Sequence, residues 1–254
     1  MTPDYFSHYA DFFMLERSPS GVLTLRFHTG GGPVTFTGPM HSALPRVLDD
    51  IAMDRDNQAL VMTGTGDRFM TEIDGPSLGD ITKPMVWDTI IAEGRRVVQR
   101  LADLEMPIVA AVNGPATVHS EYALLADIVI ASETTVFGDF PHLTFGIVPG
   151  DGVQVIWEEV LGLNRSRHLI LTQGQFTAAE ALQWGAVAEV LPQEKVQARA
   201  MELAEGLASR PQLLNRYLAM TIRQRLSRRM AEGTVLGMTL EGITAANMPY
   251  LDRD

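Results

Sequence analysis

The feature that most constrains this chain is a series of short apolar runs of strand length, each followed by a stretch long enough for a helix. Gly21–His28 (GVLTLRFH) alternates Val22, Thr24, Arg26 and His28 with Leu23, Leu25 and Phe27, the period of a strand. Ala59–Thr63 (ALVMT), Pro107–Val112 (PIVAAV) and Asp127–Ala131 (DIVIA) are almost continuously apolar, the pattern of strands covered on both faces. Between them, His41–Met53 reads as a helix whose start Pro45 confines. Trp87–Leu104 places Ile90, Ile91, Val97, Val98 and Leu101 at helical spacing, with Glu93, Arg95, Arg96 and Arg100 on the polar side. Strands alternating with helices require crossover connections, so the predicted class is α/β. The last third changes character. Thr177–Gly185, Gln193–Ser209, Pro211–Ala231 and Thr234–Ala246 are helix formers, with Val187–Leu191 the one strand-like run among them. The predicted organisation is an α/β core over residues 1–192 and a helical C-terminal region over 193–254. The apolar Val235, Leu236, Met238, Leu240 and Ile243 must cover either this subunit's core or a neighbour.

Charge and residue usage remove several functions. Thirty-one acidic against 20 basic residues leave a formal charge of −11, which repels a phosphate backbone, so nucleic acid is excluded as a partner. Only Lys83 and Lys195 are lysines. Without cysteine there is no disulfide, thiolate metal site or thiol nucleophile. Apolar runs such as Leu104–Val112, interrupted by Glu105 and Pro107, fall short of the roughly 18 residues a membrane span needs. Met1–Ser18 carries Asp4, Asp11 and Glu16 and has no basic segment leading into an apolar one. The expectation is a cytoplasmic protein with no membrane partner.

Three segments concentrate reactive side chains: Phe69–Asp74 (FMTEID), Asn113–Glu121 (NGPATVHSE) and Phe137–Gly152 (FGDFPHLTFGIVPGDG). The second and third follow strands, and a strand end opening into a helix offers backbone N–H groups to an oxyanion. Plainer roles exist for each residue: His142 on a surface loop, Asp151 in a turn between glycines, His119 as a helix cap, Glu121 supporting a helix start, Glu241 as a solvated helix acid.

Six pieces in order, GVLTLRFHT, ALVMTGTGDRFMTEID, MPIVAAVNGPA, SEYALLADIVIASETTVFG, FGIVPGDG and LTQGQFTAAEALQWGAVAEVLP, resemble the crotonase (enoyl-CoA hydratase/isomerase) superfamily from Gly21 to about Arg229. The resemblance implies a spiral of ββα units, a helical C-terminal trimerisation region, and assembly as a homotrimer or a dimer of trimers. Where acyl-CoA-handling members read Ala-Gly-x-Asp, this chain has Thr71-Glu72-Ile73-Asp74. Where they carry a run of glycines it has Thr117-Val118-His119. Bulk replaces the glycine that lets a thioester carbonyl approach the backbone. His142 stands where many hydratases carry a catalytic acid, while Glu121 matches the other acid. With Asp151 and His119, this set resembles the β-diketone hydrolases of the superfamily, the branch of 6-oxocamphor hydrolase.

That resemblance implies a cofactor-independent and metal-independent hydrolase that splits a C–C bond of a cyclic β-diketone in a retro-Claisen reaction. Histidine titrates closest to working pH, so His142 suits water activation, with Asp151 accepting a ring N–H to fix its tautomer. His119 serves as donor to a carbonyl oxygen, and Glu241 reaches the site from the C-terminal helices. Phe36, Thr37, Ile73, Trp87, Val118 and Phe140 are the expected substrate contacts, with Met70, Leu78, Leu143 and Phe145 completing a hydrophobic pocket for a small cyclic diketone. Two other readings stay open: an acyl-CoA hydratase, isomerase or hydrolase using Glu121 with His142, and a non-catalytic trimeric protein that kept the fold.

Overall fold

The computed structural model describes residues 3–248; the outer ends of the two predicted regions, residues 1–2 and 249–254, lie outside the described residues. In chain order the elements are α1 (Tyr5–His8), β1 (Phe13–Arg17), β2 (Val22–Phe27), β3 (Thr35–Phe36), α2 (Gly38–Met53), β4 (Ala59–Thr63) and β5 (Glu72–Ile73). A 3₁₀ turn over Gly75–Leu78 leads into α3 (Pro84–Asp103), β6 (Ile108–Val112), α4 (Ser120–Leu124), β7 (Ile128–Ser132), β8 (Val136–Phe137) and α5 (Pro141–Thr144). The chain continues through α6 (Val153–Leu161), α7 (Leu163–Thr172), β9 (Phe176–Thr177), α8 (Ala178–Trp184), β10 (Glu189–Leu191), α9 (Gln193–Ala208) and α10 (Gln212–Asn247).

Six strands form the main sheet in the order β1-β2-β4-β6-β7-β10, parallel throughout except for β1, which lies antiparallel on β2. Both faces of the parallel part are covered, which is why β4, β6 and β7 read as almost unbroken apolar runs. Leu23, Leu25, Leu60, Met62, Ile108 and Ala110 belong to the larger core, shared with α2 and α3. Val22, Ala59, Val61, Val109, Ala111 and Ile130 meet Val196, Ala200 and Ala204 of α9 on the other face. The first helix of the C-terminal region therefore covers this subunit's own sheet. Alanine at two of its three buried positions lets the helix backbone lie close to the strands.

Several local expectations need correction. The α2 helix begins at Gly38, because Thr37 accepts a hydrogen bond from the Met40 amide at 3.3 Å and Pro39 suits the first turn. Pro45 consequently sits inside the helix rather than at its start. The two helical stretches placed on either side of residues 232–233 are one 36-residue helix, α10. Gly233 does not break it: Val155 of α6 occupies the space a side chain at 233 would fill. Strand β1 and helices α6 and α7 were not anticipated.

The loops that follow β4 and β6 lie side by side at the carboxyl ends of the parallel strands, the usual place for a ligand site in such a sheet. Buried Asn113 fastens them. Its side chain accepts from the Gly64 amide at 3.0 Å and donates to the carbonyls of Gly66 and Arg68, both at 2.9 Å. Ala116 bridges Met70 on one side and Phe137 on the other, so all three reactive segments are drawn into one wall.

Candidate active site

His142 lies on the four-residue helix α5, where its carbonyl accepts from the amides of Phe145 and Ile147. Its Nδ1–H donates to Asp139 Oδ1 at 2.6 Å, while Nε2 faces Glu241 Oε1 at 3.2 Å and Asp151 Oδ2 at 3.7 Å. His119 caps α4 with φ +48° and ψ +46°, the left-handed region that a glycine would occupy without strain. Its ring stacks on Tyr122 at 4.6 Å and leans on Phe36 at 4.3 Å. His119 Nδ1 lies 2.7 Å from Glu121 Oε1 and 3.3 Å from Asp151 Oδ2. Asp151 thus stands between the two imidazoles. It reaches this place because Gly150 packs directly on the α10 backbone at Gly237, where a Cβ would overlap main-chain atoms. One turn further along α10 comes Glu241.

The electrostatics follow from burying four carboxyl groups around two rings. Burial alone would discharge His119, but Glu121 and Asp151 outweigh it and push its pKa up to about 10. Burial likewise opposes charge on His142, and Asp151, Asp139 and Glu241 together raise its pKa well above the ordinary imidazole value. Burial pushes Asp151 upward, yet the two imidazolium rings prevail and hold it well below the usual carboxylate range. Glu121 rises to about 7, first through burial and then through repulsion by Asp151. Burial also lifts Glu241 to about 7, and its Oε2 is a buried oxygen without a hydrogen-bond partner among the described residues. His119, Glu121 and Asp151 each place one atom able to ligate a cation within 4.8 Å of the others. A ring that holds its proton between two carboxylates offers that proton rather than a lone pair, so the trio has the chemistry of a proton-donor site.

These groups form the polar end of a cavity of about 480 Å³. Phe36, Ile73, Leu78, Trp87 and Phe145 line it as expected, with Ile90 beside them. The Trp87 indole is held by donation from Nε1 to the Met238 carbonyl at 2.9 Å. Three expected contacts are not among its lining residues. Thr37 uses its side chain as the α2 cap. Val118 is wholly buried in the hydrophobic core, and Phe140 points outward with 46% exposure beside Phe145. Met70 is likewise a core residue and Leu143 faces solvent. The amides of Thr117 and Val118 both donate to the Met70 carbonyl, at 2.9 and 3.1 Å, so neither is free to bind an oxyanion.

The structure brings His119, His142, Asp151 and Glu241 together, but distributes their contacts differently from the expectation. Asp151 lies closer to His119 than to His142, and the acid on His142 Nδ1 is Asp139. Glu121 pairs with His119, not with His142. Asp139 passed unnoticed, although Asp-x-x-His at the start of a helical turn is the spacing that allows the contact. Among the further lining residues that were missed are Tyr122, and His41, whose Nδ1 lies 3.0 Å from Glu93 Oε2. Both lie in helical runs whose apolar neighbours mask them.

Comparison with known proteins agrees with this architecture. The family model for enoyl-CoA hydratase/isomerase matches residues 17–246. A probable mitochondrial enoyl-CoA hydratase of Dictyostelium discoideum is 33% identical over 63% of this chain, which spans 57% of that protein. The 1,2-epoxyphenylacetyl-CoA isomerase of Escherichia coli K12 is 30% identical over 78% of this chain and 77% of its own length. Among solved structures, ABDH, a β-diketone hydrolase from the cyanobacterium Anabaena sp. PCC 7120 bound to (S)-3-oxocyclohexyl acetic acid, superposes with a TM-score of 0.96. It is 48% identical, over 98% of this chain and 99% of that one. With the α/β core, the long C-terminal helix and the family match in agreement, this chain belongs to the enoyl-CoA hydratase/isomerase, or crotonase, superfamily.

Proposed function

We propose that the protein is a hydrolase that cleaves a C–C bond of a cyclic β-diketone to give a keto acid, without a cofactor. The observation that carries this reading is the clamped His142 beside Asp151 and Glu241 at one end of a largely apolar cavity. The 48% identity to a β-diketone hydrolase that holds a cyclic keto acid supports it. The engaged amides of Thr117 and Val118 weigh against the thioester-binding alternative.

Asp151, Asp139 and Glu241 raise the His142 pKa well above the ordinary imidazole value and favour a second proton on the ring, which it must give up before it can act as a base. Glu241, lifted to about 7, faces Nε2 and takes that proton, which turns an ion pair into two neutral groups as the apolar substrate displaces water. Nε2 then removes a proton from water while the water oxygen bonds to one carbonyl carbon. His119, protonated at neutral pH, donates to the oxygen on which charge develops. The tetrahedral intermediate collapses to a carboxylic acid as its C–C bond breaks, and the electron pair passes to the enolate of the second carbonyl. His142 returns its proton to the enolate carbon. A positioned base of this kind contributes about 10²–10⁴-fold.

Incubation with cyclic and bicyclic 1,3-diketones should release a keto acid, and His142→Ala should lower turnover by at least about 100-fold with folding unchanged. Full activity in that variant, or no turnover across a varied panel, contradicts the reading. The substrate belongs to a site that asks for no nucleotide, and the proposed assembly remains a homotrimer or dimer of trimers.

A further inference from the structure

We infer that Asp139 is the positioning residue of the site: it fixes the tautomer and orientation of His142, leaving Asp151 to act between the two imidazoles. This deepens the hydrolase reading and rests on it for the catalytic consequence, although the assignment itself stands on geometry.

Three observations support it. The 2.6 Å contact from His142 Nδ1 to Asp139 is the shortest the ring makes, whereas Asp151 stands 3.7 Å away and on the opposite nitrogen. A carboxylate on the Nε2 side cannot select the tautomer that presents Nε2 to a water, because it competes for the same atom. A carboxylate on Nδ1 does select it, holding the proton there and raising the basicity of the other nitrogen. The backbone around Asp139 is also tied down. The Gly138 amide donates to the Ala116 carbonyl at 3.0 Å and the Phe140 amide to the Thr117 carbonyl at 2.8 Å. The residue between them is therefore carried by the same wall that presents His119, and its side chain lines the cavity.

The second consequence concerns Asp151. At 3.3 Å from His119 Nδ1 and 3.7 Å from His142 Nε2, it lies within ion-pair reach of both rings and compensates their charges. The acid that orients the base and the acid that joins the base to the proton donor are then separate residues. The groups facing His142 are Asp139 from its own segment, Asp151 from the turn before α6 and Glu241 from α10, with His119 and Glu121 behind Asp151 on α4.

The test compares Asp139→Asn and Asp139→Ala with the parent by ¹⁵N NMR of the histidine rings across pH, and by steady-state kinetics on a cyclic 1,3-diketone. In the parent, neutral His142 should be the Nδ1–H tautomer. In Asp139→Asn the ring should titrate at lower pH, and the rising limb of kcat against pH should move with it. In Asp139→Ala the Nδ1–H preference should be lost, and kcat should fall at least about tenfold with KM nearly unchanged, part of the about 10²–10⁴-fold a general base supplies. Unchanged tautomer and titration of His142 in both variants would overturn the assignment. If no diketone is turned over by the parent, the hydrolase reading fails while the ring spectra still decide the role of Asp139.

Discussion

Replacing His119 by alanine and by glycine separates what its side chain does from what its backbone costs. Either substitution removes the ring that faces Glu121 and Asp151, and Glu121 is only 2% exposed. Breaking a buried charge pair from one side costs roughly 3–5 kcal/mol. The lower end applies here, about 3 kcal/mol, because Glu121 lies near 7 and can take up a proton, and His142 still faces Asp151. For a chain of this size that corresponds to a fall in Tm of roughly 6–12 °C. The two variants should nevertheless differ. In an ordinary helix glycine is less stable than alanine by roughly 0.5–1 kcal/mol. At φ +48°, alanine retains left-handed strain of about 1–2 kcal/mol that glycine lacks. The order reverses, and His119→Gly should exceed His119→Ala by about 0.5–1 kcal/mol. The parent's own stability depends on pH. His119 binds its proton more tightly when folded, so its contribution is complete below the unfolded value of about 6.5 and is lost as pH climbs through about 10. Urea unfolding of the three proteins between pH 6 and 10.5 measures all of this. An alanine variant as stable as the glycine variant, or a parent whose stability does not fall between pH 7 and 10, would refute the reasoning.

Two shorter predictions follow from the packing of α10. Gly242→Ala puts a methyl group into the Trp87 indole, so the change that ordinarily strengthens a helix should here cost about 1–3 kcal/mol and raise KM by pushing Trp87 into the cavity. Urea midpoints and diketone kinetics check both effects, and a stabilised variant with parental KM would contradict them. Leu213, Leu214, Tyr217, Ile222, Leu236 and Ile243 are exposed along α10, an apolar flank suited to another copy of the chain. Light scattering should therefore give a multiple of 27.9 kDa consistent with a trimer or hexamer, and a mass of 27.9 kDa would contradict that assembly.

What the sequence discloses, and what it withholds, follows from how each group is buried. The runs that became β4, β6 and β7 were legible because strands covered on both faces admit almost no polar residue, and β2 because Leu23, Leu25 and Phe27 alternate with Thr24 and Arg26. Strand β1 was not: Phe13, Leu15 and Arg17 alternate with Met14 and Glu16 over only five residues at a sheet edge. The break expected in α10 failed because a glycine's effect depends on what packs against it, and Val155 is supplied by a distant element. His119, His142, Asp151 and Glu241 were found through the resemblance, and the fold does gather them. Their partners were another matter. Which acid meets which ring nitrogen depends on side-chain direction, so Asp139 was missed and Asp151 was given its task. For the same reason Thr37, Val118 and Phe140 were placed in the pocket by proximity along the chain, while their side chains turn to a helix cap, to the core and to solvent.

The most direct test of the central claim is to run the reaction with a cyclic 1,3-diketone in H₂¹⁸O and locate the label by mass spectrometry. Water attack assisted by His142 predicts a ring-opened keto acid with one solvent oxygen in its carboxyl group, formed by the parent and at least about 100-fold more slowly by His142→Ala. A carboxyl group without the label, or equal formation of the acid by both proteins, would contradict it.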